Sequence, residues 1–170
     1  KTLLYTEMTM ANTICRKPME TLHRWIGHHP NEEPIAIQLG GNNPEILGKA
    51  CEIVNEYTSC YSSSSSVSQW NSINLNCGCP SKSAKKQGFG IEMMLDQDLT
   101  RKCLYEMIRR VGHIDNLPIT VKCRLGIIPD KNSIDELYSY IDMVRSCGIN
   151  TIILHARDCI LTGSLSPAQN

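Results

Sequence analysis

Short runs of β-branched and aliphatic residues alternate along this chain with segments of helical character. That alternation restricts the folds open to it more than any other feature. Residues 3–7, 34–39, 72–76, 119–123 and 151–154 read as strands. Several are almost continuously apolar, as expected of parallel strands covered on both faces. Between them, residues 10–25 read as one helix. Asn43-Pro44 opens another, to about residue 57, with proline at a tolerated first-turn position. Residues 98–111 carry Asp98 near the start and Arg109-Arg110 near the end, matching the helix dipole. Asn132-Ser133 can cap a helix over residues 134–147, which Gly148 stops. Strand followed by helix, repeated at roughly 30 to 45 residues, is a series of βαβ units and implies a parallel sheet.

An open doubly wound sheet and a stretch of a (β/α)8 barrel both satisfy this pattern. No Gly-x-Gly-x-x-Gly follows the first strand, which counts against a dinucleotide-binding open sheet. Gly88-Phe89-Gly90 is a lone glycine pair outside a strand-to-helix turn and is weak evidence for any motif. Residues 58–70, with five consecutive serines at 62–66, read as a flexible Ser-rich insertion loop.

With 170 residues the chain fits one domain. It contains no apolar run near the roughly 18 residues that span a bilayer, so no membrane partner is expected. Its first residues resemble a strand already under way rather than a signal peptide, and its last five offer no closing element. The expectation is a chain that begins and ends inside a larger domain. The nine cysteines are odd in number, and several fall inside apolar patterns where a thiol behaves as a small hydrophobe. Cys77-Gly78-Cys79 has too short a spacing for a zinc-ribbon turn, so no metal is expected. Reduced thiols in a reducing compartment, the cytoplasm or an organelle such as a plastid, are the favoured reading. A formal net charge of zero argues against a stand-alone nucleic-acid binder.

The polar residues with chemical use sit at the carboxyl ends of the predicted strands. Gln38 ends the second; Asn76, Cys77 and Cys79 follow the third; Lys122 and Arg124 end the fourth; His155 and Arg157 end the fifth. In a parallel barrel those ends share one face, where active sites are built. Each residue also has a plainer reading. Cys79-Pro80 fits a tight turn, His155 a structural histidine, and Arg124 and Arg157 rim ion pairs. Lys122 stands in an otherwise apolar strand, where it needs a polar pocket or pays desolvation. Gly40-Gly41 fits a turn and also leaves room for a flat ligand against the backbone.

The stretch Ile73-Asn74-Leu75-Asn76-Cys77-Gly78-Cys79-Pro80-Ser81 resembles the signature loop of the tRNA-dihydrouridine synthases. Supporting segments follow the family order: Leu3-Leu4-Tyr5-Thr6-Glu7-Met8, Ile37-Gln38-Leu39-Gly40-Gly41, Thr120-Val121-Lys122-Cys123-Arg124-Leu125-Gly126 and His155-Ala156-Arg157. Leu161-Thr162-Gly163-Ser164-Leu165-Ser166-Pro167 is most similar to the bacterial and plastid-type subgroup acting on D-loop uridines. The resemblance implies an incomplete (β/α)8 TIM barrel, about five of eight strands, the second to the sixth. The family's first strand, its last two strands and its C-terminal helical tRNA-binding domain have no counterpart here. It implies FMN as cofactor, NADPH as reductant and tRNA as partner, in a protein that is a monomer when complete.

It further implies hydride transfer to C6 of a flipped uridine and proton donation to C5 by Cys79. An ordinary thiol, with pKa about 8.5, is protonated at neutral pH and can serve as that acid. Gln38, Lys122 and His155 match the flavin contacts, Asn76 the residue that reads uracil, and Arg124 and Arg157 contacts to RNA or flavin phosphate. Ser164 departs from the family pattern as an inserted residue, and residues 82–90 are shortened by one position. Lys82, Lys85 and Lys86 give the cysteine loop a basic flank. Two other readings stay open: an FMN-dependent reductase of a small pyrimidine, and an inactive truncated remnant.

Overall fold

The computed structural model describes residues 2–61, 70–111, 117–128 and 133–160. Its elements run β1 (Leu4–Met10), α1 (Ala11–Arg16), α2 (His23–Ile26), β2 (Ile35–Gly40), α3 (Pro44–Tyr61), β3 (Ser72–Asn76), α4 (Lys82–Gln87), α5 (Glu92–Leu95), α6 (Gln97–Val111), β4 (Ile119–Arg124), β5 (Ile127–Ile128), α7 (Ser133–Ser146), β6 (Ile152–His155) and β7 (Cys159–Ile160). The chain is α/β. Five strands form one sheet in the order β1-β2-β3-β4-β6, and every neighbouring pair is parallel. β5 and β7 make a second, two-stranded parallel pair beyond the ends of β4 and β6.

The central strands β2, β3 and β4 are largely buried on both faces, as expected, but the two faces differ in chemistry. Side chains alternate across a strand. Ile35, Ile37 and Leu39 of β2, Ile73 and Leu75 of β3, and Ile119, Val121 and Cys123 of β4 share one face and join a buried cluster with α3, α6 and α7. Leu75 is fully buried there, and truncating it to Ala would cost about 2–5 kcal/mol. The opposite face carries Gln38, Asn74, Asn76, Thr120, Lys122, Arg124 and His155, placed by registers that align Gln38 with Asn74, Asn74 with Thr120, Asn76 with Lys122, and Arg124 with His155.

Helices α3 and α6 pack closely because Gly48 leaves room for its neighbours. A Cβ there would lie 2.8 Å from Glu106 Cγ and 2.9 Å from Arg110 Cγ. Arg110 then bridges Glu106 of its own helix at 2.9 Å and Glu52 of α3 at 3.1 Å.

Two expectations are corrected. The single helix over residues 10–25 is broken: α1 stops at Arg16, Met19–Thr21 form a 3-10 turn, and α2 restarts at His23. Pro18 is the cause, since the residue before a proline is pushed out of the helical region; Lys17 is extended at φ −93°, ψ 141°. The loop expected over residues 58–70 begins later, because α3 continues to Tyr61, and its last residue, Trp70, is buried in the core rather than on the surface. The serine run at 62–66, the Asn132 cap and the motif at 161–167 lie outside the described residues. Gly148 ends α7 as expected, with φ +89° and its N–H donating to Arg145 O at 2.9 Å.

Candidate active site

The loop from Asn76 to Ser81 leaves β3 toward the polar face. Successive positions then separate the two thiols. Cys77 continues the apolar side of β3 and is fully buried, and desolvation pushes its thiol up to about 12. Such a group neither ionises nor meets solvent at neutral pH. Cys79 is only partly buried, with Sγ 3.4 Å from Ser81 Oγ. Ser81 is the N-cap of α4, accepting the Ala84 N–H at 3.1 Å, so the thiol's neighbour is held by the helix start.

Three contacts set the backbone at Cys79. Asn76 Oδ1 accepts the N–H of Gly78 at 3.1 Å and of Cys79 at 3.0 Å. The Cys79 carbonyl accepts the Ile91 N–H at 3.0 Å. Gly90 packs under it with φ +68°, and a Cβ at that position would lie 2.5 Å from Cys79 O and 2.9 Å from Cys79 Cβ. The glycine pair that looked uninformative in sequence thus has two uses: Gly88, at φ +70°, caps α4, and Gly90 lets the chain pass against the cysteine.

Gln38 and Asn76 are bound to each other. Asn76 Nδ2 donates to Gln38 Oε1 at 2.8 Å, and Gln38 Nε2 donates to Asn74 Oδ1 at 2.8 Å. Asn74, fully buried, donates in turn to Thr120 Oγ1 at 2.9 Å. The Gln38 backbone N–H is taken by Thr6 Oγ1 at 3.0 Å, where the β1–β2 register shifts between Tyr5 and Met8. Gly40 leaves space for β1 side chains: a Cβ there would meet Met8 Sδ at 2.7 Å. A small cleft of about 130 Å³ lies next to it, lined by Met10, Gly40, Gly41, Asn43 and Phe89 among others.

The cations gather around β4 and β6. Arg124 spans two loops, donating through Nε to Gly78 O at 2.8 Å and through Nη1 to Asp158 O at 3.2 Å. Two of its five N–H donors are thereby engaged. Lys122, half-buried, has no hydrogen-bond or ion-pair partner among the described residues. His155 is held below the usual imidazole range by desolvation first and then by Arg124, Lys122 and Arg157. The seven residues to which the family resemblance gives a role therefore lie at one end of one sheet. Asn74, Thr120 and Gly90 are not among them. The polar period of two in Ser72, Asn74 and Asn76, and again in Thr120, Lys122 and Arg124, is the signal that would have found the first pair.

The eight cysteines whose side chains are described are free thiols. No group of three His, Cys, Asp or Glu side chains among the described residues is placed to hold a metal ion. No described helix is long and apolar enough to cross a membrane.

The family model for dihydrouridine synthase (Dus) matches residues 1–170. The chain is similar to a tRNA-dihydrouridine(20/20a) synthase of Xanthomonas axonopodis pv. citri, 36% identical over 167 residues, covering 98% of this chain and 44% of that protein. It is similar to the protein of that name from Synechocystis sp., 34% identical over 169 residues, covering 99% and 45%. A third, from Pseudomonas putida, is 33% identical over 170 residues, covering 100% and 45%. The chain spans less than half the length of these curated relatives.

Proposed function

The chain belongs to the dihydrouridine synthase family, and we propose that it supplies the catalytic face of an FMN-dependent enzyme that reduces uridine to 5,6-dihydrouridine in the D-loop of tRNA, with NADPH as reductant. One observation carries this reading. A partly exposed thiol on a braced loop shares the carboxyl ends of adjacent parallel strands with three cations and an imidazole whose proton affinity they lower. The names of the relatives specify tRNA and positions 20/20a, which supports the D-loop as target.

The sheet is proposed to be the second to sixth strands of a (β/α)8 barrel. Its sequential all-parallel order and helix-covered outer face support this. So do exposed Leu4 and Leu154 on the outermost strands of the sheet, where further strands would pair. The remaining strands and a helical tRNA-binding domain would belong to a longer polypeptide. A reducing compartment, cytoplasmic or organellar, suits its free thiols.

The donor set fits a flavin. Lys122 is unpaired among the described residues, and the field felt by His155 is positive from three sides, as an anionic ring or phosphate requires. When bound, FMN supplies the hydride that reaches C6 of the uracil. Lys122 holds a positive charge toward the ring. Gln38 keeps one N–H and one lone pair for it beyond the bonds to Asn74 and Asn76. His155, uncharged near neutrality, offers one donor and one acceptor. Asn76 has both Oδ1 bonds taken but retains one Nδ2 hydrogen, which suits a uracil carbonyl. The unengaged donors of Arg124, together with Arg157, suit phosphate oxygens. Cys79 Sγ gives its proton to C5 as C6 receives hydride, so the C5–C6 double bond becomes single and the thiolate is left to be reprotonated from solvent.

In the complete protein, Cys79→Ala is expected to retain flavin while dihydrouridine formation falls by about 10²-fold or more, the usual worth of a general acid. The visible spectrum reports the first and mass analysis of tRNA the second. Loss of flavin together with activity would make Cys79 a structural residue and sink its assigned role.

A further inference from the structure

We propose that Asn74 and Thr120 are positioning residues, which set the orientation of the Gln38 and Asn76 amides and through them the loop that carries Cys79. The inference rests on the functional reading above only for the activity it is measured by.

The direction of every bond in the ladder follows from its last member. The N–H groups of Gly78 and Cys79 are backbone donors, so the side-chain atom of Asn76 that meets both has to be the oxygen. Its Nδ2 then faces Gln38, which has to present Oε1. Gln38 Nε2 is turned by that choice toward Asn74, which has to present Oδ1. Asn74 Nδ2 is left for Thr120 Oγ1. Reversing any one amide sets two NH2 groups or two carbonyl oxygens face to face. The chain therefore has one consistent arrangement across β2, β3 and β4.

Burial makes that arrangement hard to relax. Asn74 is fully buried and Thr120 is 4% exposed, so neither has water to turn to. An unmade bond at such a site carries the full desolvation penalty. Gln38 and Asn76 are partly exposed and have alternative partners in solvent. The inner pair thus dictates the orientation of the outer pair. Asn74 touches neither the thiol nor the outermost cations; it acts through Gln38. The cysteine loop responds because Asn76 has spent both oxygen lone pairs on it.

The test uses the complete protein with its flavin and compares Asn74→Leu with the double variant Asn74→Leu/Thr120→Val. The single change takes the Asn74 donor from the Thr120 hydroxyl oxygen, leaving that group only its long donation to Ile73 O at 3.5 Å, and is expected to unfold at a lower temperature. The double change removes both buried partners, which is close to neutral for folding, yet still leaves Gln38 Nε2 without its anchor. Expected for the double variant are a restored thermal midpoint, an unchanged KM for tRNA, and a kcat lowered by about 10-fold or more, since an ångström of misplacement costs up to 10²-fold. Iodoacetamide labelling of the Cys79 peptide, followed by mass spectrometry without tRNA, is expected to be several-fold faster as the loop loosens. A stable double variant with wild-type kcat and wild-type labelling would overturn the inference. If the wild-type protein makes no dihydrouridine, the functional reading fails instead, and the labelling rates alone then decide the role of Asn74.

Discussion

Gly90 and Gly148 both have positive φ, +68° and +89°, but their surroundings differ. Nothing lies within 4 Å of a Cβ built at 148, whereas one at 90 would press on Cys79 at 2.5 and 2.9 Å. Either glycine replaced by Ala pays roughly 1–2 kcal/mol for the left-handed backbone. Only Gly90→Ala also moves the thiol. Both variants are therefore expected to melt at lower temperature, while kcat falls about 10-fold or more in Gly90→Ala alone. Comparable turnover in the two would remove Gly90 from the site. A similar contrast separates the cysteines of one loop. Cys77 and Cys79 are two residues apart, yet one sits under α7 chemistry with Tyr140 nearby and the other faces the polar side. The family motif distinguishes them in the sequence; burial explains the difference.

At the scale of elements, the strands were legible because each is a short run of β-formers with its own period, and their bounds move by one to three residues at most ends. The first helix was not, because apolar spacing over residues 10–25 hides the backbone veto of Pro18. The end of α3 was missed for the opposite reason. Thr58 and Ser59 are poor helix formers, but the helix they extend is already packed, and tertiary contact overrides propensity. The segment leading into β2 has a pH-dependent weakness. His28 tilts against Trp70 with ring centroids 4.1 Å apart, and its Nε2 is buried without a partner. Desolvation lowers its pKa, with Glu33 and Glu32 opposing; His155 is lowered as well, by desolvation and then by three cations. The unfolded chain, with imidazoles near 6.5, takes up protons first as the pH falls. Stability is then present above that value and lost as the pH drops through it toward the depressed folded values. Thermal midpoints of the complete protein are expected to fall between about pH 7 and 5, and His28→Gln to flatten part of that slope. A midpoint that stays level across this range in the parent protein would contradict the burial of His28.

For the whole molecule, the consequence of an open sheet follows from its edges. Leu4 and Leu154, 45% and 44% exposed, stand on the outermost strands β1 and β6, and unpaired edges of this kind recruit other strands. Expressed as the 170-residue chain, the protein is expected to self-associate and to retain no FMN; sedimentation velocity and the visible spectrum read both, and a yellow, cooperatively unfolding monomer would show the fold to be self-sufficient. The βα alternation, the strand positions and the cysteine loop could all be read from the linear chain, since each depends on residues close together in sequence. The ladder from Thr120 to Asn76, the bracket of Arg124 across two loops and the wedge of Gly90 beneath Cys79 could not. Each joins positions separated by register across a parallel sheet or by a loop's return, and such pairings exist only after the strands have aligned. Local pattern chose the polar residues; register chose which of them touch.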